Sequence, residues 1–186
     1  MRSCYIRLSI LLALWISGCQ TVPPARPSAA QPSTPQPSAS IQPCFTPPRG
    51  CTQLITDTIA QARSEILVQA YSFTSEPIAQ ALVAAHQRGV KIKAILDKSQ
   101  KTEDDSRAKL LIDSGIPVRI DAAHAIAHNK VMVIDDETVI TGSFNFTKSA
   151  EERNAENLLV IKNRVLAEKY EENWKKHEGH AKPYVP

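Results

Sequence analysis

Aromatic side chains are scarce, with Phe, Trp and Tyr making up 5% of 186 residues. Any core must therefore be aliphatic, and the 42% hydrophobic content is enough for one domain. An excess of one charge is missing too. The formal charge is +3, but Arg2 and Arg7 lie in a segment expected to be removed, leaving 20 of the 22 Lys and Arg against 19 acidic residues. No global positive field marks out a polyanion partner, so any such attraction must be local. The apolar run Leu8 to Ile16 is too short to span a bilayer comfortably. No internal repeat is visible.

The N-terminus has the layout of an export signal, with Arg2 and Arg7 ahead of the apolar run. Ile16-Ser17-Gly18-Cys19 resembles the lipobox of bacterial lipoproteins. That resemblance implies a signal peptide over 1–18 and lipidation of Cys19, which would supply the multiple chains that stable anchoring needs. Gln20, which is not Asp, resembles the outer-membrane retention signal. If the organism is Gram-negative, the chain is expected to be exported and anchored on the periplasmic side of that membrane. Cys4 leaves with the signal, and Cys44 and Cys51 remain. They have no neighbouring His or Cys pair to make a zinc site, and oxidising surroundings favour a disulfide over two free thiols.

Residues 19–48 are dominated by Pro, Ser, Ala and Gln and read as an extended stalk between the lipid and a domain over 49–186. Ile55, Ile59 and Ala62 mark a first helical face. Glu65 to Phe73 is rich in β-formers. Ser75 and Pro77 open a second helix that closes at Gly89. Val90 to Leu96 and Val118 to Ile120 read as strands, with a third helix from Asp104 to Ser114 between them. Val131 to Ile134 and Thr138 to Thr141 flank Asp135-Asp136-Glu137 and read as a hairpin. Leu158 to Ile161 is a further strand, and Leu166, Tyr170 and Trp174 step along a final amphipathic helix. Alternating strands and helices followed by a hairpin imply an α/β fold, a mixed sheet flanked by helices in an α/β/α sandwich.

One stretch carries the chemistry: His128-Asn129-Lys130, Asp135, then Gly142-Ser143-Phe144-Asn145, with Glu156 following. His128 and Lys130 are two apart and share a face, as do Ser143 and Asn145, and a hairpin brings the pairs side by side. Lys130 offers charge to a phosphate oxygen, while Ser143 and Asn145 offer hydrogen bonds. His128 can attack phosphorus if an acceptor holds its other nitrogen, and Glu156 is a suitable holder. Singly, each residue has a bland reading. Six specified residues at fixed spacing occur by chance on the order of 10⁻⁸ times per start position.

The spacing His-x-Lys-x4-Asp-x6-Gly-Ser-x-Asn resembles the signature of the phospholipase D superfamily at every position. Cys44-Phe45-Thr46-Pro47, Val68 to Thr74, Leu96-Asp97-Lys98-Ser99-Gln100 and the run from His124 to Asn157 are similar to its small bacterial EDTA-resistant endonuclease branch. The resemblance implies that His128 forms a covalent phosphohistidine, that Lys130 and Asn145 hold the phosphate with Ser143 in support, and that Glu156 orients the nucleophile. It implies that Asp135 serves a turn rather than the chemistry, and that no metal or other cofactor is needed. Two motif His are used in that mechanism and this chain has one motif, so a homodimer is expected, with the partner supplying the second His128 and Lys130. His124 is an in-chain alternative, more simply read as an exposed loop residue. His177 and His180 are expected to be solvated. Nucleic acid is the first substrate expectation, with Lys98, Lys101, Arg107, Lys148 and Arg153 as candidate groove cations. Phospholipid is the alternative, and a non-enzymatic surface binding module is the third.

Overall fold

The computed structural model describes residues 39–185. The signal segment, Cys19 and the stalk up to residue 38 lie outside the described residues. The stalk was expected to run to residue 48, but its last part belongs to the sheet. Strand β1 (Ser40–Thr46) pairs antiparallel along its whole length with β7 (Glu156–Lys162). Its Ser and Pro content hides it in the sequence. An edge strand tolerates Pro43 because one side of its backbone has no ladder to complete. Thr46 Oγ1 donates to Ala150 O (2.8 Å), and a Cys44–Cys51 disulfide ties the strand to the first helix.

That helix is α1 (Cys51–Ala60), which buries Ile55 and Ile59. Then come β2 (Glu65–Ala70), α2 (Glu76–Gln87), β3 (Lys91–Asp97), a short 3₁₀ turn at Lys98–Lys101, α3 (Ala108–Asp113) and β4 (Val118–Asp121). The third helix starts later than expected, because the Arg107 N–H is donated to Phe73 O (2.9 Å) and Ser106 and Glu103 close a turn before it. The expected hairpin follows as β5 (Lys130–Ile134) and β6 (Thr138–Gly142). A short α4 (Lys148–Glu152) leads into β7, and α5 (Arg164–His180) ends in β8 (Lys182–Pro183). The short α4 and β8 are too brief to show a period in the sequence.

The eight strands form one mixed sheet in the order β1-β7-β6-β5-β2-β3-β4-β8. Only β2/β3 and β3/β4 are parallel, and each of those steps is bridged by a helix. Alternation along the strands splits the core in two. Ile66, Val68, Ala94, Leu96, Met132 and Ile140 pack with α1, α2 and α3 on one face. Leu67, Ile95, Val131, Val133 and Val139 pack against Ala167 and Trp174 of α5 on the other. Trp174 is the pivot of that second layer, and its indole N–H donates to Val68 O (2.9 Å). Among the described residues, no helix is long and apolar enough to cross a membrane.

Two residues of the motif serve the fold. Asp135 and Asp136 both have φ 53° and turn β5 into β6, the left-handed pair that a tight hairpin needs. The Asp135 carboxylate also accepts from the N–H groups of Arg63 (2.9 Å), Ser64 (2.8 Å) and Glu65 (3.1 Å) and from Ser64 Oγ (2.7 Å). Partial burial works to raise its pKa, but the Ser64 hydroxyl and these N–H groups outweigh it, so the carboxyl lies below its ordinary value. Gly142 has φ 153°, and a Cβ there would sit 2.2 Å from Asn157 O.

Two outcomes follow. Asp135→Asn keeps the turn geometry but loses charged acceptors, and should cost about 2 kcal/mol in urea unfolding at neutral pH. A depressed carboxyl pKa stabilises the fold above the unfolded value of about 3.9 and ceases to do so as pH falls through the folded value. The gap between variant and wild type should therefore close in that acid range; equal stability at pH 7 would contradict the role. Gly142→Ala forces β6 away from β7 and should cost about 3 kcal/mol, read as a lowered thermal midpoint.

Candidate active site

Strand register gathers the site at one end of the sheet. Ala70 pairs with Lys130, Val131 with Thr141, Gly142 with Leu158, and Glu156 with Thr46. The end of β2, the start of β5, the end of β6 and the start of β7 therefore lie in a row. Asp135, at the far end of β5, is about 16 Å from Lys130 at 3.3 Å per residue. It is not part of this row, so the motif Asp is a fold residue.

After Gly142 the chain alternates. Phe144 and Phe146 are fully buried, while Ser143 is exposed and Asn145 half-buried on the opposite side. Ser143 and Phe144 donate their N–H groups to Asn157 O (3.0 and 3.3 Å). Phe146 O accepts from the N–H groups of Thr74 (3.0 Å) and Ser75 (2.9 Å), and its ring meets Phe73 edge-on at 6.4 Å. The two phenylalanines thus hold the loop so that Ser143 and Asn145 face the same way, as their spacing suggested. Asn145 Oδ1 is buried and has no hydrogen-bond partner.

His128 is exposed and precedes β5, whereas Lys130 is only 6% exposed. Tyr71, which the motif does not contain, packs beside both. Its ring lies 4.7 Å from the His128 ring, centroid to centroid, and 5.1 Å from Lys130 Nζ. Lys130 Nζ donates to His128 O (2.7 Å), fixing the backbone that carries the imidazole. Burial pushes the Lys130 ammonium below its ordinary pKa, and the Glu156 carboxylate pulls it part of the way back.

Glu156 is held differently from the expectation. Its Oε2 accepts from Ser143 Oγ (2.6 Å) and its Oε1 from Asn154 Nδ2 (2.9 Å). Ser143 Oγ in turn accepts from Asn157 N–H (3.0 Å). Among the described residues, no hydrogen bond joins Glu156 to His128. The carboxylate orders Ser143 and balances Lys130, and Asn154 is a residue that sequence reasoning missed because nothing in its spacing marks it.

The other candidates divide. His124 does not reach the row; it turns toward Asp121, with its ring near those of His177 and His180. His177 and His180 are not solvated tail residues, because both bond to the buried Asp121 carboxylate. Arg107 is paired with Glu76 (2.7 Å) and is not a free groove cation. Lys98, Lys101, Lys148 and Arg153 are exposed.

Residues 55–177 match the family model described as cardiolipin synthase, PLD-like domain. The chain is 47% identical over 136 residues to the phospholipase D of Rickettsia prowazekii, covering 73% of this chain and 66% of that protein. It is 26% identical over 166 residues to the mitochondrial cardiolipin hydrolase of Xenopus tropicalis, covering 82% of this chain and 79% of that one. Among solved structures, the phospholipase D family member Nuc from Salmonella typhimurium superposes with a TM-score of 0.76 at 40% identity, covering 80% of this chain and all of that one. The eight-stranded mixed sheet, the motif with all but its Asp gathered at one end of that sheet, and these matches agree: the chain belongs to the phospholipase D superfamily.

Proposed function

We propose that this chain is a phosphodiester hydrolase acting on nucleic acid through a covalent phosphohistidine. The observation that carries the reading is an exposed imidazole, His128, beside a buried ammonium, Lys130, at the open ends of the central strands. A ring nitrogen of His128 attacks phosphorus and the bond to the leaving oxygen breaks. That oxygen takes a proton from a second His128. Water then attacks the phosphohistidine, passing its proton to the now neutral second His128, and the bond from phosphorus to the first imidazole breaks. Lys130 and Asn145 bind the phosphoryl oxygens, where charge builds up during attack. Ser143, locked to Glu156, supports them.

In this reading the proton donor comes from another copy of the chain, since His124 turns away toward Asp121 (3.8 Å). A two-fold axis at this end of the sheet would bring both His128 side chains to one phosphorus. The buried, unpartnered Asn145 Oδ1 fits a site completed by groups from outside the chain. Exposed Lys98, which follows β3, and Arg153, just before Asn154 and Glu156, suit a polymer backbone better than a single headgroup. A second reading, phospholipid headgroup diesters, is favoured by two exposed apolar side chains near the row. Phe45, 61% exposed, pairs with Asn157, and Ile126, 55% exposed, lies two residues before His128. The names of the Rickettsia and Xenopus relatives point the same way. We also infer export, lipid anchoring through Cys19 and, in a Gram-negative cell, an outer-membrane location facing the periplasm.

Purified protein should cut plasmid DNA in EDTA, and His128→Ala should lower the rate by at least about 1000-fold, the loss expected for a nucleophile. Release of choline from phosphatidylcholine vesicles with intact DNA would overturn the nucleic-acid reading in favour of the second. Sedimentation should show the active species as a dimer; an active monomer would remove the shared site.

A further inference from the structure

Away from the phosphodiester row, four side chains converge on one point. Asp121, the last residue of β4, is completely buried. Its Oδ2 lies 2.6 Å from His177 Nδ1, 3.2 Å from His180 Nε2 and 3.8 Å from His124 Nε2. One ligand atom from each of the four residues lies within 4.8 Å of all the others. The three imidazoles are 5.1 to 5.3 Å apart, centroid to centroid. A tetrahedral zinc ion with bonds of 2.0–2.1 Å spaces its ligand atoms about 3.3 Å apart. The distances from Asp121 Oδ2 bracket that spacing.

We propose that Asp121, His124, His177 and His180 bind one divalent transition-metal ion of the zinc type. Three imidazoles and one carboxylate suit zinc, cobalt or nickel rather than magnesium or calcium, which prefer all-oxygen shells. Four protein ligands fill a tetrahedral shell and leave no open position, so the ion is structural. The ligands come from three separate places: the end of β4, the loop before β5 and the last turn of α5. His177 and His180 are three apart on that turn and so share a face.

The loop from Ala122 to Asn129 delivers His128; its far end is held by Lys130 Nζ on His128 O (2.7 Å) and by Tyr71 N–H on Asn129 O (2.8 Å), and its first half is held less closely. Asp97 Oδ2 accepts from Ala127 N–H (2.7 Å), and Lys98 Nζ donates to His124 O (3.2 Å). An ion held through His124 fastens this loop to α5. It braces the first half of the loop and takes no part in the chemistry; His128 keeps its contacts with Lys130 and Tyr71 without it, so cleavage in EDTA persists.

The full chain, stripped with EDTA and dialysed, should take up close to one Zn²⁺ per chain by elemental analysis. Co²⁺ should give the intense visible absorption of a tetrahedral site. Zn²⁺ at about 100 times Kd should raise the thermal midpoint by about 5 °C or more. His180→Ala and, separately, the half-exposed His124→Ala should each weaken uptake by at least about 100-fold, more than the loss of an outer-shell partner costs. His128→Ala should keep the ion. Absence of saturable uptake in the wild type would overturn the proposal whatever the variants do. So would an ion that survives in His124→Ala and His180→Ala, or one lost in His128→Ala, which would put it at the phosphodiester site.

Discussion

The site rests on one carbonyl. Asn157 O accepts from Ser143 and Phe144 N–H, and it can come so close only because Gly142 has no Cβ. That contact fixes where β6 ends relative to β7. It therefore fixes Ser143 against Glu156, and through the hairpin it sets Lys130 beside both. Any residue with a Cβ at 142 would hit the carbonyl at 2.2 Å. The glycine of the motif is thus a packing requirement, and the serine after it has chemical value only because the glycine precedes it.

Burial supplies the second constraint. Lys130 is enclosed by Tyr71, the His128 carbonyl and the nearby Glu156, so its charge acts in a poorly solvated setting where Coulomb interactions are stronger than in water. His128, in contrast, is exposed. A buried cation that receives phosphate and an accessible ring that attacks it make a division of labour. It follows from their positions, one inside the first strand residue and one just ahead of it.

Much of this was legible in the sequence. The β5–β6 hairpin, α5 with its Leu166-Tyr170-Trp174 stripe and the alternation at 143–146 follow from periodicity and spacing, and the Cys44–Cys51 bond from the oxidising surroundings expected of an exported chain. What escaped has physical causes. Strand β1 is held by backbone hydrogen bonds to β7 and by a disulfide, and backbone bonds leave no side-chain pattern. Glu156 was expected on the His128 ring, but Ser143 and Asn154 lie closer, and sequence distance does not rank partners. His177 and His180 lie in a polar stretch whose meaning depends on Asp121, 56 and 59 residues away. Only the docking of α5 on the sheet brings them together.

The covalent step on His128 is the centre of the functional reading, and intact-protein mass spectrometry tests it directly. The protein is mixed with a short oligonucleotide in EDTA and quenched within one turnover in alkaline denaturant, which preserves the P–N bond. The expected result is a phosphoryl-linked adduct that maps to the peptide containing His128 and disappears in His128→Ala. Turnover with no adduct, or an adduct on another residue, would contradict it.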